Sequence, residues 1–173
     1  KVTPETAAFV KEAGSGGVIL FKRNLETPRQ ISELIRGLND AAEVPLIIGV
    51  DQEGGRVARL PLPFAKVPPM ALVGALEDGG SFAAKIGEIM GRELAACGFN
   101  IDFSPVLDVG TNKFNPVIGD RAFSSVPETV SRLGKAFIGA LQSHGVAACG
   151  KHFPGHGDTD VDFFRPAKRS PDA

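Results

Sequence analysis

The chain has 173 residues, of which 43% are hydrophobic and 23% charged, a globular composition that excludes a disordered or fibrous chain and suits one core of ordinary size. With 19 basic against 20 acidic residues and no lysine or arginine block outside the last few positions, nothing tracks a phosphate backbone, so nucleic acid is not expected as a partner. No segment approaches the roughly 18 unbroken apolar residues of a membrane span, and Lys1-Val2-Thr3-Pro4-Glu5 lacks the basic-then-apolar pattern of a signal peptide, so a cytoplasmic protein with no membrane partner is expected.

Val18-Ile19-Leu20-Phe21, after Gly16-Gly17, is a compact apolar run of the kind a parallel strand covered on both faces requires. Thr27-Pro28-Arg29-Gln30 supplies a cap, a proline at the first helical position and a glutamine three residues on. Ile31, Leu34, Ile35 and Leu38 follow at helical spacing, predicting a helix from about Pro28 to Ala41. Leu46 to Val50 reads as a second buried strand. After a long proline-containing segment, Ile86, Ile89, Met90, Leu94 and Cys97 mark a second helix, and Asn100 to Ser104 a third strand. Ser125-Val126-Pro127-Glu128 resembles another capping box, opening a helix with the stripe Val130, Leu133, Phe137 and Leu141 that ends near His144-Gly145. Val146 to Gly150 is the fourth strand. Cys97 and Cys149 both lie in apolar contexts and are expected as buried, reduced thiols.

Strand and helix alternating at this cadence means parallel pairing through crossover helices, in a doubly wound sheet or a barrel. Four units in about 150 residues is half of an eight-unit barrel, which typically takes about 250. In such barrels chemistry sits on the loops at the carboxyl ends of the strands, and the polar residues fall there in turn. Lys22, Arg23 and Asn24 follow the first strand; Asp51, Glu53 and Arg56 the second; Asp108 and Gly119-Asp120-Arg121 the third; Lys151, His152 and His156 the fourth. The densest group is Lys151-His152-Phe153-Pro154-Gly155-His156-Gly157-Asp158-Thr159, where glycine and proline exclude a helix and hold a cation, two imidazoles and a carboxylate on an irregular loop.

Each of these has a plainer alternative. Asp51 could cap a turn, Glu53 and Arg56 could pair with each other, Arg121 could brace Asp120, and His152 could be a satisfied histidine at the core rim. Lys22 and Arg23 read as solvated. A metal at His152-x-x-x-His156 is disfavoured, because ligand pairs of this spacing usually share a helix face. Gly14-Ser15-Gly16-Gly17 precedes a strand and lacks the remainder of a phosphate loop.

Four segments taken together resemble glycoside hydrolase family 3, its bacterial beta-N-acetylhexosaminidase branch in particular. They are Gly49 to Val57 (GVDQEGGRV), Asn100 to Val109 (NIDFSPVLDV), Gly119 to Phe123 (GDRAF) and Lys151 to Thr159 (KHFPGHGDT), in the family's order. The resemblance implies an α/β fold that is the N-terminal half of a (β/α)8 TIM-type barrel, spanning residues 1–162, with 163–173 an unrelated tail. It implies a retaining hydrolase that removes terminal N-acetyl-beta-D-glucosamine from cell-wall fragments, with no cofactor. Carried over by motif, Asp51 and Arg59 would grip sugar hydroxyls, Arg121 would reach the sugar or its neighbour, and Lys151 and His152 would bind ring hydroxyls near the acetamido group.

The departure lies after Thr159. The branch continues with aspartate, serine and histidine, its Asp-His pair serving as general acid/base; the aligned residues here are Asp162, Phe163 and Phe164, and phenylalanine cannot move a proton. The branch's nucleophile, an aspartate on a later strand, has no counterpart among the 173 residues. Retaining hydrolysis in its usual form needs two carboxyl groups about 5 to 5.5 Å apart. The expectation is therefore an inactive fragment, with a frame change near Asp162 explaining the tail. A non-catalytic sugar-binding half barrel and a beta-glucosidase of the same family are the alternatives. Four strands of a barrel would also leave open sheet edges, through which self-association is expected.

Overall fold

The computed structural model describes residues 1–160; Asp162 and the tail 163–173 lie outside them. The chain opens with α1 (Pro4–Glu12), which sequence reasoning overlooked although Thr3 caps it, accepting the Thr6 N–H, and Pro4 occupies its first turn. Next come β1 (Gly17–Leu20), α2 (Pro28–Ala41), β2 (Ile47–Val50), a short α3 (Met70–Gly74), α4 (Gly79–Cys97), β3 (Ile101–Asp102), α5 (Pro127–Gln142) and β4 (Ala147–Ala148). The strands form one sheet in the order β1-β2-β3-β4, every pair parallel. This is the half-barrel arrangement, a parallel sheet with crossover helices.

Helix α2 matches its predicted limits, and Thr27 accepts the Gln30 N–H at 3.1 Å. The Gln30 side chain then accepts from Glu26 N–H and donates to the Asn24 carbonyl, so the cap extends one residue further back than a simple box. The second expected box does not form. Val126 is the N-cap of α5 with no side-chain bond, because the helix starts at Pro127, one residue later than a Ser125 cap requires. Strands three and four are shorter than predicted. Beyond Asp102 the chain leaves the ladder and rejoins it only at a parallel bridge between Val106 and Lys151.

One main core joins sheet and helices: Leu20, Ile48 and Val50 bury against Ile31, Ile35, Leu94, Phe137 and Leu141. The first two strands were expected to be covered on both faces. Instead the alternate residues Ile19 and Ile47 are 48% and 58% exposed, since among the described residues the helix-facing side chains alone are fully covered. Cys97 is buried as expected, whereas Cys149 is half-buried, and both are free.

Candidate functional site

Asp51 is the first residue past β2, and Lys151 is held at the end of β4, where its N–H donates to the Pro105 carbonyl and its own carbonyl accepts from Leu107. Parallel pairing thus delivers both to one end of the sheet. The Lys151 ammonium lies 2.7 Å from Asp51 Oδ1 and 2.6 Å from Glu53 Oε1. Arg121 closes on the same carboxylate with two prongs, Nε to Glu53 Oε2 at 2.8 Å and a terminal nitrogen to Oε1 at 2.9 Å. The Glu53 side chain is 3% exposed, and those of Arg121 and Lys151 are 12% and 15% exposed. Burial alone would lower the Arg121 pKa; the hydrogen bonds and charge of Glu53, with smaller contributions from Asp108 and Asp51, outweigh it and raise it.

Glu53 and Arg56 do not pair, and Arg121 does not brace Asp120. Arg56 itself faces Asp120 at 3.4 Å and donates to the carbonyls of Pro116, Val117 and Ile118. It thereby pins the loop that carries Arg121, which leaves Arg121 to reach Glu53.

His152 is organised by Asp108, a residue 3% exposed. Asp108 Oδ2 lies 2.6 Å from His152 Nδ1 and accepts the His152 N–H at 3.1 Å, while Oδ1 accepts the His156 N–H. Burial pushes the Asp108 carboxyl up, but the hydrogen bonds from His152 and His156 and the charge of His152 prevail and hold it below the usual range. An ionised Asp108 takes a proton-bearing Nδ1, which turns Nε2 outward. The two imidazoles meet edge to face, centroids 5.4 Å apart.

The glycines of this loop answer to space and backbone angle. Gly155 has φ +127°, and a β-carbon on Gly157 would lie 1.8 Å from the Val109 carbonyl oxygen. Asn115, 4% exposed, ties the loop from the other side: it donates to the His156 carbonyl and accepts the N–H groups of Val117 and Ile118 at 2.8 and 2.9 Å.

Beneath the rim lies Asp102, wholly buried at the end of β3. Its Oδ1 accepts the Gln52 N–H at 2.9 Å and its Oδ2 accepts the Ser104 hydroxyl at 2.7 Å. Desolvation dominates and raises its pKa to about 7, against the opposing hydrogen bonds and the Lys151 charge. Arg59 sits on the segment returning from Gly54-Gly55; its backbone N–H donates to Gln52 Oε1, and its Nε is buried with no hydrogen-bond partner among the described residues. Asp51, Arg121 and Lys151 are therefore joined in one network, His152 is the covalent neighbour of Lys151, and Arg59 is anchored beside the end of β2. Sequence reasoning missed Gln52, Asp102 and Asn115 as working residues. All three are buried polar side chains within otherwise plain segments, and only their lack of an apolar role marked them.

A parallel β/α half barrel with acidic and basic side chains collected at the carboxyl ends of its strands has the layout of barrel enzymes. Residues 1–165 match the Glycosyl hydrolase family 3 N terminal domain, and the chain belongs to that family. It is 46% identical over 152 residues to a beta-hexosaminidase of Nitrosomonas eutropha, covering 85% of this chain and 43% of that protein. It is 45% identical over 168 residues to a beta-hexosaminidase of Tolumonas auensis, covering 95% and 49%. The fold superposes with a TM-score of 0.86 on NagZ from Neisseria gonorrhoeae in complex with N-trifluoroacetyl-D-glucosamine, at 36% identity over 91% of this chain and 48% of that one. With a family 3 beta-N-acetylglucosaminidase from Paenibacillus sp. the TM-score is 0.88 at 42% identity, over 94% and 31%. The chain thus spans about half the length, or less, of the relatives it matches.

Proposed function

We propose that this chain forms the sugar-gripping wall of a retaining beta-N-acetylhexosaminidase that removes terminal N-acetyl-beta-D-glucosamine from cell-wall fragments in the cytoplasm. The observation that carries this is the network Asp51–Lys151–Glu53–Arg121 at the carboxyl end of the sheet. Lys151 has three donors. One donates to Asp51 and the ammonium lies against Glu53 at 2.6 Å, which leaves a donor for a hydroxyl. Asp51 keeps a second carboxylate oxygen as an acceptor, and His152, with Nδ1 turned to Asp108, presents Nε2. Charged donors and acceptors of this kind make short, strong hydrogen bonds to sugar hydroxyls. The beta-hexosaminidase names of the relatives, and the N-trifluoroacetyl-D-glucosamine complex of a neighbour at 36% identity, favour an N-acetyl sugar over glucose.

Catalysis needs more than this wall. Asp162 stands where the family's acid/base pair begins, followed by Phe163 and Phe164, so the 173 residues assayed alone are expected to bind sugar without cleaving it. Calorimetry of the chain with N-acetylglucosamine and with glucose tests this reading. Saturable heat with the first at millimolar concentration and a markedly weaker response to the second is expected; no heat with either would reject sugar binding, and preference for glucose would turn the assignment to a glucosidase. Release of nitrophenol from nitrophenyl N-acetyl-beta-glucosaminide should require a chain carrying the remaining barrel strands.

A further inference from the structure

Gln52 sits between two carboxylates of the rim, Asp51 and Glu53, yet is 2% exposed and takes no part in their ion network. Its backbone N–H is held by the wholly buried Asp102 at 2.9 Å. Its side chain turns to the returning segment, where Oε1 accepts two consecutive backbone N–H groups, Arg59 at 2.7 Å and Leu60 at 3.1 Å. Both partners are donors, so the amide orientation is fixed by chemistry: oxygen must face them. The segment so fastened carries Arg59, whose buried Nε finds no acceptor among the described residues. That nitrogen is itself out of solvent, but Arg59 as a residue is only half-buried, so how its backbone is held decides where the guanidinium lies.

We propose that Gln52 is a positioning residue, a neutral clamp running from Asp102 through Gln52 to the Arg59–Leu60 backbone, which sets the half-buried Arg59 side chain near Asp51 so that its guanidinium meets the bound sugar. The neutral amide suits the position. A carboxylate there would add a buried negative charge beside Glu53, whereas an apolar side chain would leave two backbone donors unmet. The role presupposes that the rim binds sugar.

The test uses the 173-residue chain, Gln52→Met, Arg59→Ala and the double variant, with N-acetylglucosamine as the titrant and amide hydrogen exchange as a second readout. Gln52→Met, nearly isosteric but without the acceptor, should speed exchange at the Arg59 and Leu60 amides and weaken binding about tenfold, the size of one or two lost neutral hydrogen bonds. In the Arg59→Ala background the same substitution should weaken binding no further, because its effect passes through Arg59. A Gln52→Met chain that binds as the parent does, or that loses affinity equally with and without Arg59, overturns the clamp. A parent chain that binds no N-acetylglucosamine fails earlier, at the sugar-binding reading, and is told apart by that.

Discussion

Glu53 is the residue on which the rim is built. Its carboxylate, only 3% exposed, accepts from Arg121 and lies 2.6 Å from the Lys151 ammonium, so it stands between two cations that would otherwise face each other in a dry setting. Replacing it with alanine should cost about 3 to 5 kcal/mol, the range for breaking a buried ion pair from one side, and lower the melting temperature by about 10 °C for a chain of this size. Arg121→Ala, which removes one of the two cations, should cost less, since Lys151 still accompanies Glu53. Thermal unfolding of both variants decides the point: equal losses, or a Glu53→Ala chain melting together with the parent, would mean that Glu53 is not the hub. The sequence made each of these groups visible but not their partners. Glu53 and Arg56 are near neighbours in the chain and invited pairing, yet the turn at Gly54-Gly55 sends Arg56 toward the carbonyls of 116–118 and hands Glu53 to a residue 68 positions away.

At the scale of elements, the ends of β3 and the loops around it carry two carboxyls with opposite titration behaviour. Asp108 is held below its ordinary pKa, so its contribution to stability is present above the unfolded value of 3.8 and is lost as pH falls through the folded value. Asp102 is raised to about 7, so the folded state favours its protonated form; its contribution is full below about 3.8 and is lost as pH rises through 7. From these two groups stability is expected to peak near pH 4, to fall between about pH 4 and 7 as the Asp102 contribution is lost, and to level off above that. Asp102→Asn should flatten the decline between about pH 4 and 7. The amide oxygen can still accept the Gln52 N–H, and the amide nitrogen can donate to Ser104, with no charge to desolvate. Urea midpoints at about pH 5 and pH 8 measure it: the variant should gain on the parent at the higher pH by up to a few kcal/mol, and an identical pH profile for both chains would show that Asp102 does not titrate in this window. The helices α2, α4 and α5 were legible because their apolar stripes recur every three to four residues. Strands three and four were legible only as short segments with the wrong ends, because their pairing stops and resumes around Ser104-Pro105, a break that no local pattern encodes.

At the scale of the whole molecule, the alternation of strands and helices left a doubly wound sheet and a barrel equally open, and the family motifs were needed to favour the barrel. What periodicity missed was which sheet face would be covered. Ile19 and Ile47 lie in runs that read as buried on both sides, yet they stand 48% and 58% exposed, and the outer edges of β1 and β4 pair with no described strand. Unpaired edge amides beside an apolar face are a template for another chain. The 173-residue polypeptide is therefore expected to self-associate at micromolar concentration. Ile19→Lys together with Ile47→Lys should suppress this without unfolding the chain, since neither side chain contributes to the buried core and each lysine can extend into water. Size-exclusion chromatography across a tenfold dilution, read beside the thermal melt, separates the outcomes. The parent should elute as concentration-dependent oligomers and the double variant as a monomer with a cooperative transition. A parent chain that elutes as a sharp monomer at tens of micromolar would show that the exposed face and edges are satisfied within one copy.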